Sequence, residues 1–395
     1  MTVAPDMQHQ VSELVTDLLD AHDPKTSEPT EFLGAQFDAG LAWVHFPVGL
    51  GGLGAPRGLQ PLVDEPLAAA GAPSPFLRNP IGVGMAAPTV VKHGSTEQKQ
   101  RLLRPLFTGQ ELWCQLFSEP GAGSDLAALA TSAARDGEGW VLNGQKVWTS
   151  AAHLSRWALL VARSDPDAPK HRGLSYFVLD MQVPGVEVRP LIQATGDAEF
   201  NEVYLTDVRV ADADRLGDVG QGWAVAMTTL MNERVAIGGQ PSPRGAGMIG
   251  EAIRVWRELG SDDPVLRDEL VRHWVAAEAL RLTNIRAGQS AAEGTPGPEG
   301  SIGKIVSAEL NQRISAFTVQ LMGMAGTLYP GGYVMGRPER LGSRNDQQRM
   351  LRSIANSIEG GTTEIMRNIL AERVLKLPPE PRTDRDKPWS QLPRS

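Results

Sequence analysis

The chain has 395 residues, 41% of them hydrophobic, and a formal net charge of −8 with a sequence pI near 5.5. At about 150 residues per domain, that length predicts two or three domains with real cores. The acidic balance argues against a nucleic-acid partner, which a basic face would serve. Thirty of the 38 basic residues are Arg, so guanidinium is the default cation for phosphates and carboxylates. The single cysteine, Cys114, excludes an intrachain disulfide and a cysteine metal cluster, fits a reducing cytoplasm, and reads as a buried spacer beside Trp113. No stretch reaches the roughly 18 apolar residues of a membrane span, residues 1–10 lack the pattern of a signal peptide, and the seven His show no metal-binding spacing. A soluble, cytoplasmic protein with no metal site is the expectation.

In chain order, residues 1–112 read as helices with Gly/Pro loops. Val11, Leu14, Val15 and Leu18 recur at helical spacing, and Ser95 to Leu106 repeats the pattern with Ser95 or Thr96 as cap. Gly49 to Gly54 matches GxGxxG. A dinucleotide fingerprint needs a preceding strand and a following helix, whereas Pro47 and Pro56 flank this stretch, so a glycine-rich turn is the better reading. Residues 113–220 change to short strands. Trp140–Leu142 and Lys146–Trp148 flank Asn143–Gly144, a hairpin signal, and residues 157–162, 174–181 and 201–210 add further strands of a mainly antiparallel β domain. In residues 221–377 helices return, at 223–237, 247–259, 264–287, 301–325 and 362–375, with a Gly/Pro/Ser loop at 288–300. Such long helices suggest a bundle. Residues 378–395 read as an extended Pro-rich tail.

Gln115 to Leu126 reads Gln-Leu-Phe-Ser-Glu-Pro-Gly-Ala-Gly-Ser-Asp-Leu, a strand end entering a Gly/Ser loop whose N–H groups could nest an anion. This stretch closely resembles the signature of the acyl-CoA dehydrogenase family. Asn143-Gly-Gln-Lys-Val-Trp-Thr-Ser150 is similar to the family's second flavin segment. Gln320–Gly326 resembles its Gln-x-x-Gly-x-x-Gly turn, Gly361–Ile365 its Gly-Thr-x-x-Ile helix start, and Pro47 with Gly51–Gly52 an N-terminal element. The matches keep family order across residues 40–377.

The resemblance implies an α+β architecture: a helical N-terminal domain, a central antiparallel β domain and a C-terminal four-helix bundle. It implies FAD held by Phe117, Ser118, Gly123 and Ser124, with Trp148, Thr149 and Ser150 at the isoalloxazine and Gly361, Thr362 and Glu364 at a helix start suited to a phosphate or flavin edge. Ser150 stands where the family usually has a Thr aimed at flavin N5. Gln320 and Gly323 either approach a neighbouring subunit's FAD or serve close helix packing. The family's Arg-x-x-Phe-Gly is absent: Arg257-Glu-Leu-Gly260 occupies its place without the Phe.

Dehydrogenation next to a thioester needs a shielded carboxylate at Cα and donors for the carbonyl oxygen. Where many family members carry the base, this chain has Gly360, with Glu359 one residue early. Glu233 offers an alternative on helix 223–237, with Ala226, Leu230, Ala236 and Ile237 at helical spacing around it, where burial would raise its pKa. That placement resembles the isovaleryl- and long-chain-type members; the competing reading pairs Glu233 with Arg281 or Arg286. The expected substrate contacts are Ser124, Arg234 (structural or facing the CoA phosphates) and the N–H of Gly360, which with an FAD hydroxyl would bind the thioester oxygen. The expectation is an enzyme turning acyl-CoA into trans-2-enoyl-CoA, passing electrons to an electron-transfer flavoprotein, as a homo- or hetero-oligomer. Two alternatives stay open: a flavin-sharing, non-catalytic subunit of a heteromeric dehydrogenase, and a flavin oxidase or monooxygenase on the same fold.

Overall fold

The computed structural model describes residues 5–238, 243–293, 299–330, 332, 335–337, 344–381 and 383–393. They group into two compact units: Met1–Arg189 with Asn201–Ala236 and Thr383–Ser395, and Pro190–Phe200 with Ile237–Arg382.

The first unit opens with helices α1 (Pro5–Ala21), α2 (Pro29–Asp38), α3 (Pro61–Ala69), α4 (Pro75–Arg78), α5 (Ala87–His93) and α6 (Thr96–Thr108). Val11, Val15 and Leu18 of α1 are buried with Phe32 of α2 and Val63 of α3, as the helical spacing predicts. Ser95 caps α6 in a reciprocal capping box with Gln98. The stretch from Gly49 to Gly54 is a turn, with Gly49, Gly51 and Gly54 at positive φ. A Cβ on Gly52 would come within 2.2 Å of the Phe46 carbonyl oxygen, so close backbone approach accounts for that glycine.

Seven strands follow: β1 (Trp113–Leu116), β2 (Ser132–Asp136), β3 (Gly139–Ser150), β4 (Trp157–Arg163), β5 (Leu174–Asp180), β6 (Val186–Leu191) and β7 (Phe200–Ala211), in the order β1-β4-β2-β3-β7-β6, with β5 also on β4. The sheet is mixed: β4 runs antiparallel to β5 but parallel to β1, and β2 runs antiparallel to β3. β4 and β5 are buried on both faces. Leu159, Val161, Tyr176 and Val178 join the core shared with the helices, whereas Ala158, Leu160, Phe177 and Leu179 join Cys114 and Leu116 in a second core. Burial on both sides explains their unbroken apolar runs.

Asn143–Gly144 is not a hairpin turn. It lies inside β3, and the β2–β3 turn is at Gly137–Glu138, between the paired Asp136 and Gly139. Asn143 instead ties β3 to Asp207: its side-chain oxygen accepts from the Asp207 N–H (2.8 Å) and its amide donates to the Asp207 carboxylate (3.0 Å). A Cβ on Gly144 would lie 2.7 Å from Thr131 Cα, so the glycine makes room for the neighbouring chain.

The last helix of the first unit is α7 (Gly222–Gly238), close to its predicted limits. The tail is docked rather than merely extended, with a short turn at Trp389–Gln391.

In the second unit, α8 (Met248–Leu259), α9 (Pro264–Glu293) and α10 (Glu299–Leu321) pack through Ile249, Val255, Leu270, Ile314 and Phe317. The loop expected at 288–300 is helical as far as Glu293, and residues 294–298 lie outside the described residues. Helices α11 (Asp346–Ser353) and α12 (Thr363–Ile369) follow, α12 continuing into a π turn at Leu370–Val374. No described helix is long and apolar enough to cross a membrane.

Candidate functional site

β1 delivers Phe117 and Ser118 into the Gly/Ser loop. Phe117 is buried, its ring edge-on to Tyr176 at 5.8 Å. The Ser118 carbonyl accepts from the Val147 N–H at 2.9 Å, which seats the loop against the end of β3. Gly123 and Ser124 are exposed, and a Cβ on Gly123 would meet nothing, so this face of the loop is open.

The loop is held from beneath by Glu119 and Lys146. Lys146 is 0% exposed and places its ammonium on the Glu119 carboxylate (2.8 Å), the Phe117 carbonyl (3.0 Å) and the Val161 carbonyl (2.9 Å), using all three of its protons. Glu119 also accepts from the N–H groups of Ala130 (2.6 Å) and Thr131 (2.9 Å). Burial raises the Glu119 pKa, but Lys146 and these donors outweigh it and hold the carboxyl below its ordinary value. The sequence reading gave neither residue a role. The signal lay in an acid of the loop motif, Glu119, and the one cation of the second segment, Lys146.

At the end of β3, Trp148 sits at φ 62° with its side chain 58% exposed, followed by Ala151 at φ 52°. The left-handed backbone at Trp148 breaks the strand's alternation, since Lys146 two residues earlier is buried, and leaves Trp148 exposed and Thr149 buried. The Thr149 hydroxyl is buried and its carbonyl accepts from Asn201 (3.0 Å), so its side chain belongs to the interior, while Ser150 is partly exposed. An indole held in the left-handed region costs about 1–2 kcal/mol, and such strain marks functional positions. Trp148→Gly should therefore be more stable than Trp148→Ala by about 1 kcal/mol in chemical denaturation, while both bind flavin more weakly than the parent chain. Equal stability of the two variants would remove the strain argument.

Glu233 lies on α7, half-buried. Ala226 is buried on the same face and Leu230 packs on the core. One turn before Glu233, the Thr229 hydroxyl bonds Thr89 (3.0 Å) and the hydroxyl of Tyr176 (2.9 Å), and His93 bonds Thr228 (2.8 Å). Burial pushes the Tyr176 hydroxyl pKa up, so it stays a neutral hydrogen-bonding group. Tyr176, which the sequence reading also passed over, thus joins Phe117 of the loop to the turn of α7 preceding Glu233. The side chain of Arg234 lies outside the described residues.

In the second unit, Gly360 and Gly361 sit at φ 64° and 94°, and a Cβ on Gly361 would strike Met366 Cε at 2.4 Å. Thr362 caps α12 by accepting from the Ile365 N–H (3.2 Å), and Glu364 is exposed in its first turn. Glu359 is committed elsewhere: Arg352 donates to its two oxygens (3.0 and 2.7 Å) and Asn356 adds a third bond (2.6 Å). Arg281 is likewise taken, by Glu278 at 2.8 Å. Gln320 and Gly323 are exposed at the end of α10, Gly323 at φ 56°; close packing falls instead to Gly326, whose Cβ would lie 2.4 Å from the Val319 carbonyl oxygen.

Three sequence patterns match in register with this architecture: the acyl-CoA dehydrogenase N-terminal domain over residues 6–110, the middle domain over 114–208 and the C-terminal domain over 220–375. The chain belongs to the acyl-CoA dehydrogenase family. Acyl-CoA dehydrogenase FadE34 of Mycobacterium tuberculosis is 42% identical over 86% of this chain, which spans 45% of FadE34. Acyl-CoA dehydrogenase IpdE1 of the same organism is 38% identical, covering 87% of this chain and 86% of IpdE1. The solved "Tcur3481-Tcur3483 steroid ACAD" superposes with a TM-score of 0.70 at 25% identity, over 95% of this chain and 99% of that one.

As a member of this family, the protein is an oxidoreductase acting on acyl-CoA, with FAD as its cofactor. The residues present fit that group. The exposed indole of Trp148 offers a face for a flat ring, Ser118 and Ser150 are partly exposed hydroxyls on the adjoining loop and strand end, and the open Gly123–Ser124 backbone suits a charged linker.

Proposed function

We propose that this acyl-CoA dehydrogenase introduces a trans double bond between Cα and Cβ of a bulky, steroid-derived acyl-CoA, with Glu233 as the base. The observation that carries the reading is the path Phe117–Tyr176–Thr229, which ties the cofactor loop to the turn of α7 just before Glu233. A half-buried carboxylate there accepts the α-proton. Glu359, whose oxygens Arg352 and Asn356 hold, is read as a structural carboxylate. The Gly360 N–H serves as donor to the thioester oxygen, and Ser124 contacts the substrate. Gln320 and Gly323, both exposed, are assigned to the flavin of a neighbouring subunit in a dimer or tetramer. Bound FAD supplies the hydride acceptor, and electrons leave to an electron-transfer flavoprotein. The steroid character rests on the solved structure described as a steroid ACAD.

The test is a panel of straight-chain, branched and steroid-derived CoA esters with an artificial electron acceptor. Steroid-derived esters should bleach the flavin and reduce the acceptor; a flavin-loaded protein reduced by none of them sinks the reading.

A second reading, a chain that shares flavin with a different subunit, is favoured by the missing Arg-x-x-Phe-Gly. Arg257 stands there exposed, facing a hollow it shares with Arg244, Arg254 and Trp274. Purified alone, such a chain would be colourless and gain flavin absorbance only with its partner.

A further inference from the structure

We propose that the C-terminal segment Asp384–Ser390 is a strap that positions the Gly123–Ser124 loop for cofactor and CoA ester, with Asp384 and Trp389 as its positioning residues. The inference rests on the reading of that loop as cofactor-facing.

The strap holds the loop at two points. Lys170, nearly buried, bridges Asp125, the residue after Ser124, at 2.7 Å and Asp384 of the strap at 2.6 Å. Three residues beyond Asp125, the Ala128 carbonyl accepts from the Trp389 indole N–H at 3.0 Å. The Trp389 ring also lies 4.5 Å from the guanidinium of buried Arg163. That guanidinium donates to the carbonyls of Ala127 (2.6 Å), Leu129 (3.2 Å) and Lys170 (3.0 Å). Strap, Arg163 and Lys170 therefore clamp the backbone from Asp125 to Leu129 directly behind the open glycine.

The strap has its own anchors on the β4–β5 connection. The Trp389 and Ser390 N–H groups donate to the carbonyls of Ala168 (3.0 Å) and Pro166 (2.8 Å), and the Ser390 hydroxyl reaches Asp167 (3.0 Å). Ordering each residue of the tail costs about 1–2 kcal/mol, which the indole on the buried guanidinium and these hydrogen bonds offset. The Ala128 and Leu129 N–H groups themselves make only short-turn bonds, to the Asp125 and Leu126 carbonyls.

The test compares the full-length holoprotein with Asp384→Asn/Trp389→Ala and with Trp389→Phe, which keeps a ring over Arg163 but loses the N–H. Amide exchange at Ala128 and Leu129 should quicken about tenfold in the double variant while β4 and β5 amides hold. FAD dissociation should quicken similarly, and KM for the CoA ester should rise by more than kcat falls. Trp389→Phe should fall between parent and double variant. Unchanged loop exchange, or equal loosening of β4 and β5, overturns the strap. A parent chain that takes up no FAD, alone or with a partner, overturns the cofactor reading of the loop instead, and the exchange rates still decide whether the strap grips it.

Discussion

Glu233→Gln should leave a flavin-loaded protein whose turnover falls by about a hundred- to ten-thousand-fold, the span that general-base catalysis supplies. Gln keeps the shape of the side chain on α7, so neither the helix nor the Thr229–Tyr176 bond is disturbed. What it removes is the proposed acceptor for the α-proton, so exchange of that proton with solvent deuterium should vanish along with turnover. Glu359→Gln should behave differently. It weakens the bond to Arg352, which still keeps Glu199 at 3.0 Å, and turnover should survive. Stopped-flow flavin reduction separates the cases. An active Glu233→Gln beside a dead Glu359→Gln moves the base to the second unit.

Lys146→Met is expected to lower stability by roughly 3–5 kcal/mol, the range for breaking a buried ion pair by removing one partner. Glu119 would then sit inside the protein without its cation, and the Phe117 and Val161 carbonyls would lose their donor. The pH dependence has a defined sign. The Glu119 carboxyl titrates below its ordinary 4.5 in the folded chain, so its stabilising contribution is complete above that value and drains as pH falls through the lower, folded one. In Lys146→Met the deficit should shrink on acidification, because protonation abolishes the unpaired charge. The double variant Lys146→Met/Glu119→Gln should regain part of the loss. Denaturant titrations at neutral pH and below pH 4.5 provide the comparison; a single variant as stable as the parent at neutral pH would mean that the pair does not hold the loop.

The helices were readable where local chemistry dictates them. Val11, Val15 and Leu18 space out a buried face, and Ser95 with Gln98 announces an N-terminus. α7 also emerged within a residue of its limits. Asn143–Gly144 misled because both residues answer to distant neighbours, Asp207 and Thr131, rather than to a turn. The parallel pairing of β1 with β4 has no local signature at all. α11 is mostly polar, with Met350 and Leu351 its only apolar residues, and was missed, though Asn345 and Gln348 form a capping box that could have revealed it. At the site, the loop and Trp148 were legible as motifs. The inward turn of Thr149, the Tyr176 bridge and the docking of Trp389 were not, because each depends on partners that only the folded chain supplies.

The burial of Cys114 has a practical corollary. Enclosure pushes its thiol up to about 12, so at neutral pH almost no thiolate is present to meet an alkylating reagent. The native chain is thus silent toward maleimide dyes, and an engineered cysteine at exposed Gln391 would carry the only maleimide label. That single label, two residues beyond Trp389, would report in real time whether the C-terminus lifts away as ligand enters or departs.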